Sequence, residues 1–374
     1  MSTWTSSATG IGRAFTGGLD ISLRGAANAL RAHPRRVLVA VVTAAGIVGA
    51  FLLAPALARF PHELSRIGHG DIRWLLLGGV LEALSFAGQV VLFHSVYQGS
   101  GTRLRYRDSY EITVAGHAAT RLLASAGTGG MALTAWALRR HGLTAKEIAR
   151  RMIAFLILMY SFYTLALLVG GLGLWTGALS GGGSIALTLF PAALAAAMTG
   201  MLLAAPVAGT PVARWLRGHA AGQEGRFATV GSRLAAGVEA LADGVRLAVG
   251  MIRERRFGVI GAPMWWGFDV AVLWASFHAF GTPPPLGVIL MAYFVGTLAN
   301  TLPLPGGIGG VEGGMIGAFV AFGVAPAPAV AAVLAYRLFA FWLPTIPGAI
   351  AYLQLRRSLP SGAVARPGTQ AALA

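Results

Sequence analysis

Four ionisable residues lie inside long apolar stretches of this sequence, where a charge is costly. Glu82, Asp269, Glu312 and Arg337 are each flanked on both sides by apolar residues. A charged side chain at the centre of a membrane helix costs at least about 2.5 kcal/mol, so such residues are candidates for function by default. Arg121 lies in an apolar stretch broken by glycines and is a fifth candidate. Ion pairing, or contact with a charged ligand in a cavity, is the chemistry that these residues could perform.

The most informative motif is the run 300–312, which reads N-T-L-P-L-P-G-G-I-G-G-V-E. Pro303 and Pro305 remove backbone donors and stop a helix. The glycines allow a tight turn with exposed amides, and Glu312 opens the helix that returns. The N-terminus of such a helix suits an anionic group, because its N–H groups are unpaired and its dipole is positive there. The alternative is a helix-packing turn that Glu312 merely caps. The candidate ligand-contacting residues of this run are Asn300, Pro303, Pro305, Gly306, Gly307, Gly309 and Glu312.

Arg337 lies two to three turns into the next apolar stretch. We expect it to pair with Glu312, because the pair would offset the burial cost of both charges. A purely structural ion pair is as consistent with the sequence as a functional one. Tyr336 and the nearby tryptophans are expected to be interfacial anchors or packing residues.

A membrane-embedded scaffold must hold these residues. Hydrophobic residues make up 56% of the chain, charged residues 11%, and the mean hydropathy is +0.68. A water-soluble domain carries roughly a quarter charged residues, so soluble, disordered and coiled-coil classes are excluded. A membrane span needs about 20 apolar residues. Six segments qualify: 37–57, 74–98, 152–174, 185–208, 257–280 and 327–353.

The basic residues predict the orientation. Of the 29 basic residues, twenty-five fall in the segments 1–36, 99–151, 209–256 and 354–374, and three fall between spans on the other side. Positive residues concentrate on the cytoplasmic side. We therefore expect a multi-pass protein of the bacterial inner membrane with both termini cytoplasmic. The net charge of +16 then reflects contact with anionic lipid headgroups, and no nucleic-acid-binding motif is present.

Two further apolar stretches, 110–138 and 286–322, are interrupted by glycine or proline. Arginines flank the first stretch on both sides and place its two ends at the cytoplasmic face, whereas the predicted orientation places both ends of the second stretch outside. Each is therefore expected to be a re-entrant hairpin. An offset of 181 aligns the glycine-rich turns and the helices around them, which predicts an inverted repeat. The predicted fold is therefore all-α, with about six transmembrane helices plus two re-entrant hairpins. The single membrane domain 37–353 comprises half one (74–208), a cytoplasmic amphipathic helix (226–256) and half two (257–353).

Conventional catalytic and metal-binding patterns are not evident. The chain contains no cysteine, its eight histidines form no ligand pair, and no Ser/His/Asp arrangement is legible. We therefore expect no metal or other cofactor, and a role that is not enzymatic.

The run 300–312 resembles a known family, the transmembrane flippase region of bacterial lysylphosphatidylglycerol synthases, or multiple peptide resistance factors. Pro303, Pro305, Gly306, Gly307, Gly309 and Glu312 match its Pro-x-Pro-Gly-Gly-x-Gly-x-x-Glu pattern. Some stand-alone members of the family are associated with hopanoid genes. The first hairpin departs from the family pattern, because Met131 stands where an acid is usual. The synthases also carry an aminoacyltransferase domain. About 20 residues follow the last predicted span here, so we do not expect aminoacyl transfer to lipid.

The resemblance implies a lipid translocase that moves a polar-headed membrane lipid between leaflets. Glu312, Arg337, Arg121 and Asp269 would line the headgroup cavity, and homo-oligomers or complexes with lipid-synthesis enzymes are compatible with this role. One alternative is a membrane-embedded glycosyl- or group-transferase that uses a polyprenyl-phosphate donor. A second alternative is an accessory scaffold for lipid biosynthesis, for example of hopanoids.

Overall fold

The computed structural model describes residues 70–98, 104–122, 128–221, 226–301 and 309–357. Within these residues every regular element is helical, as predicted. In chain order the α-helices are α1 (Ile72–Tyr97), α2 (Tyr106–Leu122), α3 (Thr128–Arg140), α4 (Ala145–Trp175), α5 (Leu189–Ala221), α6 (Arg226–Arg253), α7 (Gly261–Phe280), α8 (Leu286–Thr297), α9 (Gly310–Ala321), α10 (Pro326–Arg337) and α11 (Leu343–Arg357).

Five of the predicted spans correspond to helices long and apolar enough to cross a membrane: Ile72–Tyr97, Ala145–Trp175, Leu189–Ala221, Phe257–Phe280 and Pro326–Gln354. The sixth predicted span, 37–57, lies outside the described residues, as do the segments 1–36 and 358–374. The protein is therefore an all-helical membrane protein with several apolar spans.

Two of these helices extend beyond their predicted limits. α4 begins at Ala145, where Thr144 and Glu147 form a reciprocal capping box. α5 continues past residue 208 to Ala221, although Pro206 and Pro211 lie inside it. The carbonyl of Pro206 accepts a hydrogen bond from Arg246 of α6 at 3.2 Å, so tertiary contacts support the helix through these prolines.

α1 and α7 cross at the centre of the bundle and run antiparallel. The Asp71 amide donates to the carbonyl of Ala279 at 2.9 Å, and the Ser85 hydroxyl donates to the carbonyl of Trp265 at 2.9 Å. The two apolar cores flank this crossing. α1 precedes the first interrupted stretch and α7 precedes the second, so the two helices that lead into these stretches pack against each other in opposite directions.

Each interrupted stretch forms a pair of helices that pack against each other. In the first pair, α2 and α3, Gly130 lies so close to α2 that a Cβ would meet the Gly116 carbonyl oxygen at 2.5 Å. In the second pair, α8 and α9, a Cβ at Gly296 would lie 2.4 Å from the Met315 side chain. Glycine is required for both close approaches. Re-entry of these pairs into a membrane stays a prediction.

Corresponding helices of the two halves share equivalent neighbours. The offset of 181 aligns α2 with α8 and aligns α4 with the α10–α11 segment. α2 packs on α11, and α8 packs on α4. Tyr163 of α4 meets Phe294 of α8, and Gly170 of α4 meets Leu290 of α8. α4 and α8 are therefore antiparallel, as α1 and α7 are. This pattern of contacts agrees with the internal repeat inferred from the offset of 181.

The predicted amphipathic helix is α6, and its buried face contacts α4 and α5. Ala242, Val245 and Met251 on this face are almost fully buried. On its exposed side, Glu239 forms an ion pair with Arg217 of α5. The hydrogen bond from Arg217 lowers the pKa of the Glu239 carboxyl below its usual value. α6 is thus held to the bundle mainly by apolar packing on α4 and α5.

The last span contains a π-helical segment, Leu338–Trp342, between α10 and α11. Pro344 follows this segment and lacks the N–H that an α-helix would direct at the carbonyl of Ala340. A wider turn accommodates that missing bond. The segment lies immediately after Arg337.

Candidate functional site

Glu312 and Arg337 form an ion pair in which Arg337 Nε lies 2.7 Å from Glu312 Oε1. Arg337 is only 8% exposed, and its guanidinium carbon lies 4.5 Å above the ring centre of Phe341 in the π-helical segment. A stacked guanidinium of this kind gains cation–π energy while its N–H groups remain directed at a carboxylate. The pairing expected from the sequence is therefore present.

Glu312 also closes the N-terminus of α9. Its second oxygen, Oε2, accepts the Gly309 amide at 2.8 Å. Gly309 has a φ of +79°, which a residue with a side chain adopts only under strain. One carboxylate thus binds both a helix N-terminus and a guanidinium. A competing anion would find a positive helix end and an arginine at the same place.

For Asn300 and Arg121, two further predicted ligand-contacting residues, the structure describes the backbone only. Asn300 lies in the 3₁₀ segment Leu298–Thr301, directly after α8, and Arg121 lies in the last turn of α2. The side chains of these two residues are outside the described part of the structure. Four predicted residues fall entirely outside it: Pro303, Pro305, Gly306 and Gly307.

Asp269 is the centre of a buried polar cluster. Its Oδ2 accepts hydrogen bonds from the hydroxyls of Tyr293 on α8 and Tyr336 on α10, the latter at 3.0 Å. Of the two roles expected for Tyr336, interfacial anchor or packing residue, the structure shows packing: its ring is buried, and its hydroxyl also binds a carboxylate. Sequence reasoning missed Tyr293. The available signal was a single phenol within the otherwise apolar helix Leu286–Thr297.

Tyr336 and Arg337 tie the end of α10 to two acids on different helices. Tyr336 binds Asp269 on α7, and Arg337 binds Glu312 on α9. Glu82 on α1 is also buried, and one turn before it a Cβ at Gly78 would lie 3.4 Å from Phe339 of the π-helical segment. The two halves of the protein therefore contribute acidic groups to one region around the end of α10.

A tyrosine supports the end of α8, where the second interrupted stretch breaks. The Tyr163 hydroxyl on α4 donates to the carbonyl of Phe294, which also accepts from the Thr297 hydroxyl at 3.0 Å. Trp266 packs against Tyr163 and donates its indole N–H to the Met159 carbonyl at 2.7 Å. Carbonyls at a helix break within a membrane must be satisfied by protein or water, and here side chains supply the donors.

One cavity lies away from these residues, where α7 and α9 end and where α8 and α10 begin. It has a volume of about 390 Å³ and a largely apolar lining of proline, phenylalanine and glycine, including Pro284, Pro285 and Phe322. None of the described candidate residues lines it. The Glu312–Arg337 pair is therefore packed within helices rather than exposed in this cavity.

The family assignment rests on a match over most of the chain. Residues 36–348 match the sequence profile of the transmembrane region of lysylphosphatidylglycerol synthase. The chain belongs to this family. The matched range contains every candidate residue from Arg121 to Arg337, so the ion pair and the Asp269 cluster lie within the matched region of this chain.

Individual relatives match shorter parts of the chain. Membrane proteins called UPF0104 from Methanothermobacter thermautotrophicus are 35% identical over 105 residues and 34% identical over 114 residues. These matches cover 27% and 29% of this chain and 31% and 32% of the relatives. The similarity to these curated relatives thus spans about a third of their length.

Proposed function

We propose that this protein is a lipid translocase that moves a polar-headed membrane lipid between leaflets. The observation that carries the proposal is the ion pair that Glu312, at the N-terminus of α9 in the second interrupted stretch, forms with the buried Arg337. Ionisable groups at such a position point to a substrate pathway. Family membership supports a role connected with membrane lipids.

The headgroup exchanges places with one member of the ion pair. A phosphate or other anionic portion binds Arg337 and the amides at the start of α9, while a cationic portion binds Glu312. The acyl chains stay in the surrounding bilayer. Asp269 holds the end of α10, and with it Arg337, through Tyr336.

The charge distribution of the described residues supports a bacterial inner-membrane protein with cytoplasmic termini. The start of α4 lies beside the end of α1, because Arg151 donates to the carbonyls of Val96 and Gln98 at 2.8 and 3.2 Å. The turn before α7 lies there as well, since a Cβ at Gly258 would meet Ser95. Exposed basic residues cluster at this end of the bundle: Arg105, Arg107, Arg139, Arg140, Lys146, Arg150, Arg253, Arg255 and Arg256. This basic end faces anionic headgroups of the cytoplasmic leaflet.

Reconstitution into vesicles tests the proposal. A trace of fluorescent phosphatidylglycerol is added to phosphatidylglycerol–phosphatidylethanolamine vesicles, and dithionite then bleaches only the lipid exposed outside. We expect wild-type protein to expose the inner-leaflet fluorophore to bleaching and Glu312→Gln or Arg337→Gln to lose this effect. Asp243→Asn, on the exposed side of α6, is the matched control and keeps it. Bleaching that stops at the outer leaflet with wild type, as in protein-free vesicles, contradicts the proposal; so does full activity in both variants.

A further inference from the structure

The contact between α1 and α2 is polar, although α1 is an apolar span. His94 of α1 and Ser109 of α2 are joined by a hydrogen bond of 3.0 Å between Nδ1 and Oγ. Gln89 of α1 and His117 of α2 are joined by one of 2.6 Å between Oε1 and Nε2. The two helices are antiparallel, so the first pair lies near the basic end of the bundle and the second lies nearer the middle of α1. We call the contact formed by His94, Gln89, Ser109, Thr113 and His117 the polar seam.

Thr113 lies between these two pairs and brings an unsatisfied hydroxyl to the seam. Ser109, Thr113 and His117 are spaced four residues apart, so they follow one another along one face of α2. Thr113 is 6% exposed, and its hydroxyl has no hydrogen-bond partner among the described residues. Buried polar groups are normally hydrogen-bonded to protein or to an internal water molecule. Water within the seam would supply the missing partner.

The polar line continues inward along α1. Ser85 and Gln89 lie on one face of this helix, and both are buried. The Ser85 hydroxyl donates to the carbonyl of Trp265 on α7 at 2.9 Å, and the ring centre of Trp265 lies 5.3 Å from that of His117. The line therefore reaches from the basic end of the bundle to α7, where Asp269 lies one turn beyond Trp265.

This line of polar groups is separate from the apolar surface of α1. The other side of the helix carries exposed apolar side chains: Leu76, Leu77, Val80 and Leu84. Polar groups inside a membrane mark pathways for ions and substrates, but hydrogen bonds between helices also hold a bundle together. Two features favour a pathway here. The Thr113 hydroxyl is satisfied by none of the described residues, and the line is continuous from the basic end to the Asp269 cluster.

We propose that the polar seam is a water-accessible path that leads from the basic end of the bundle to the middle of the membrane. Water solvates the Thr113 hydroxyl. The Gln89–His117 hydrogen bond joins α1 to α2 across the path, so a polar solute reaches Ser85 only when this pair parts. Use of the path by a lipid headgroup rests on the proposed function, whereas hydration of the seam does not.

Single cysteines in the full-length protein test the path, since the chain has no native cysteine. A charged methanethiosulfonate reagent, which reacts with the thiolate and does not cross a membrane, is added at the basic end in oriented vesicles. We expect Thr113→Cys to react and Ser85→Cys to react more slowly, although both positions are buried. Thr113→Cys keeps the size of the side chain and removes no hydrogen bond within the described part of the protein, so folding is expected to persist.

Ser161→Cys on α4 is the matched control. Ser161 is exposed on the outside of the bundle. It lies at the depth of Ser85, because Met159 and Ser85 hydrogen-bond to the neighbouring residues Trp266 and Trp265. We expect no reaction at Ser161→Cys, because a thiol in contact with lipid does not ionise. A rate for Thr113→Cys as low as that of the control overturns the proposal. Failure of Ser85→Cys to react also overturns it, since the path would then not reach the middle of the membrane.

Gln89→Met tests the order of the residues along the path. The substitution replaces an amide with an apolar side chain of similar length. In this background we expect the reaction of Ser85→Cys to slow several-fold and that of Thr113→Cys to keep its rate, because Gln89 lies between the two positions. An unchanged rate at Ser85→Cys would show that the solute arrives by another route and would overturn the proposal.

Thr113→Val tests hydration without a label. Valine has nearly the shape of threonine but no hydroxyl. Removal of a dry, unpaired hydroxyl raises the free energy of unfolding, whereas removal of a hydroxyl that binds water does not. We expect no rise in thermal unfolding experiments in micelles, and a rise overturns the proposal. Thr164→Val is the matched control and is expected to lower stability, because the buried Thr164 hydroxyl donates to the Ser161 carbonyl at 3.1 Å.

The lipid assay separates this proposal from the proposed function. If both hold, Gln89→Met lowers the rate of lipid exchange several-fold together with the reaction of Ser85→Cys. Labelling of the seam in a protein that does not exchange lipid contradicts the translocase and leaves the path standing. Lipid exchange without labelling of the seam contradicts the path alone.

Discussion

The backbones of Gly88 on α1 and Gly261 on α7 touch where these two helices cross: a Cβ atom at Gly261 would lie 2.2 Å from the Gly88 carbonyl oxygen. This contact joins the helices that carry Glu82 and Asp269. Small residues allow membrane helices to approach closely, and the resulting van der Waals contact stabilises the pair. Several testable properties of the protein depend on this crossing and on the polar contacts around it.

Gly261→Ala is expected to lower the free energy of unfolding by about 1–3 kcal/mol, because the added methyl group would force α1 and α7 apart. Gly267→Ala on the same helix is the matched control, since a Cβ there meets nothing within 4 Å. It is expected to leave stability unchanged or raise it slightly through helix propensity. Thermal unfolding in detergent micelles measures both. Equal effects of the two substitutions would show that the crossing is not tightly packed.

Removal of one member of the Glu312–Arg337 pair is expected to destabilise the protein more than removal of both. A lone buried charge costs about 3–5 kcal/mol, whereas an apolar replacement of the pair can be nearly neutral. Glu312→Gln, Arg337→Met and the double variant, measured by unfolding in micelles, form the thermodynamic cycle. Strictly additive effects would mean that the two side chains do not interact in the bilayer-like environment.

Tyr293→Phe and Tyr336→Phe are each expected to cost about 1.5–3 kcal/mol, because each removes a hydrogen bond to the Asp269 carboxyl group. Tyr160→Phe is the control, since Tyr160 is half exposed on α4 and makes no hydrogen bond to the Asp269 cluster. Unfolding curves of the three variants measure the change in the free energy of unfolding. A cost for Tyr160→Phe as large as for the others would point to a general effect of tyrosine replacement.

Tyr163→Phe is expected to loosen the end of α8, because the Phe294 carbonyl loses its donor from α4. The chain has no native cysteine, so Ala299→Cys in the adjoining 3₁₀ segment can report on this region. Its maleimide labelling rate should rise in the Tyr163→Phe background and stay constant with Tyr160→Phe. An unchanged rate with Tyr163→Phe would mean that the Thr297 hydroxyl alone holds the break.

Opposite orientation of the two interrupted stretches predicts opposite labelling. In oriented vesicles, Thr128→Cys should react with an impermeant maleimide from the cytoplasmic side and Ile308→Cys from the outer side. Both residues belong to the glycine-rich sequence runs 126–130 and 307–311 that the offset of 181 aligns. Labelling of both from the same side would contradict the inverted repeat and favour an enzyme or scaffold with a single working face.

The sequence was sufficient to predict the five spans that the structure describes and the Glu312–Arg337 contact. Long apolar segments leave few alternatives to membrane helices, and two buried charges of opposite sign lower their burial cost by pairing. The same reasoning could not find the partners of Asp269, because Tyr293 and Tyr336 come from different helices, and residue spacing does not specify which helices pack together. A tyrosine also suits both a membrane interface and a buried hydrogen bond, so the sequence left both an interfacial and a packing role open for Tyr336.

The length of α5 was underestimated for a related reason. Pro206 and Pro211 are local signals for the end of a helix, and the prediction stopped at residue 208. In the structure α6 packs along α5, and Arg246 hydrogen-bonds to the carbonyl of Pro206. A contact between helices thus outweighs a local preference that the sequence displays plainly.

The π-helical segment Leu338–Trp342 holds one residue more than an α-helical path would need. Deletion of one residue there would restore an ordinary α-helical turn and nearly preserve the rotation of α11. Gly348, whose hypothetical Cβ lies 2.8 Å from the Ala118 Cβ of α2, would then still face that helix. Deletion of one residue from α11 ahead of Gly348 would instead rotate the helix beyond it by about 100° and turn Gly348 away from the first half of the protein.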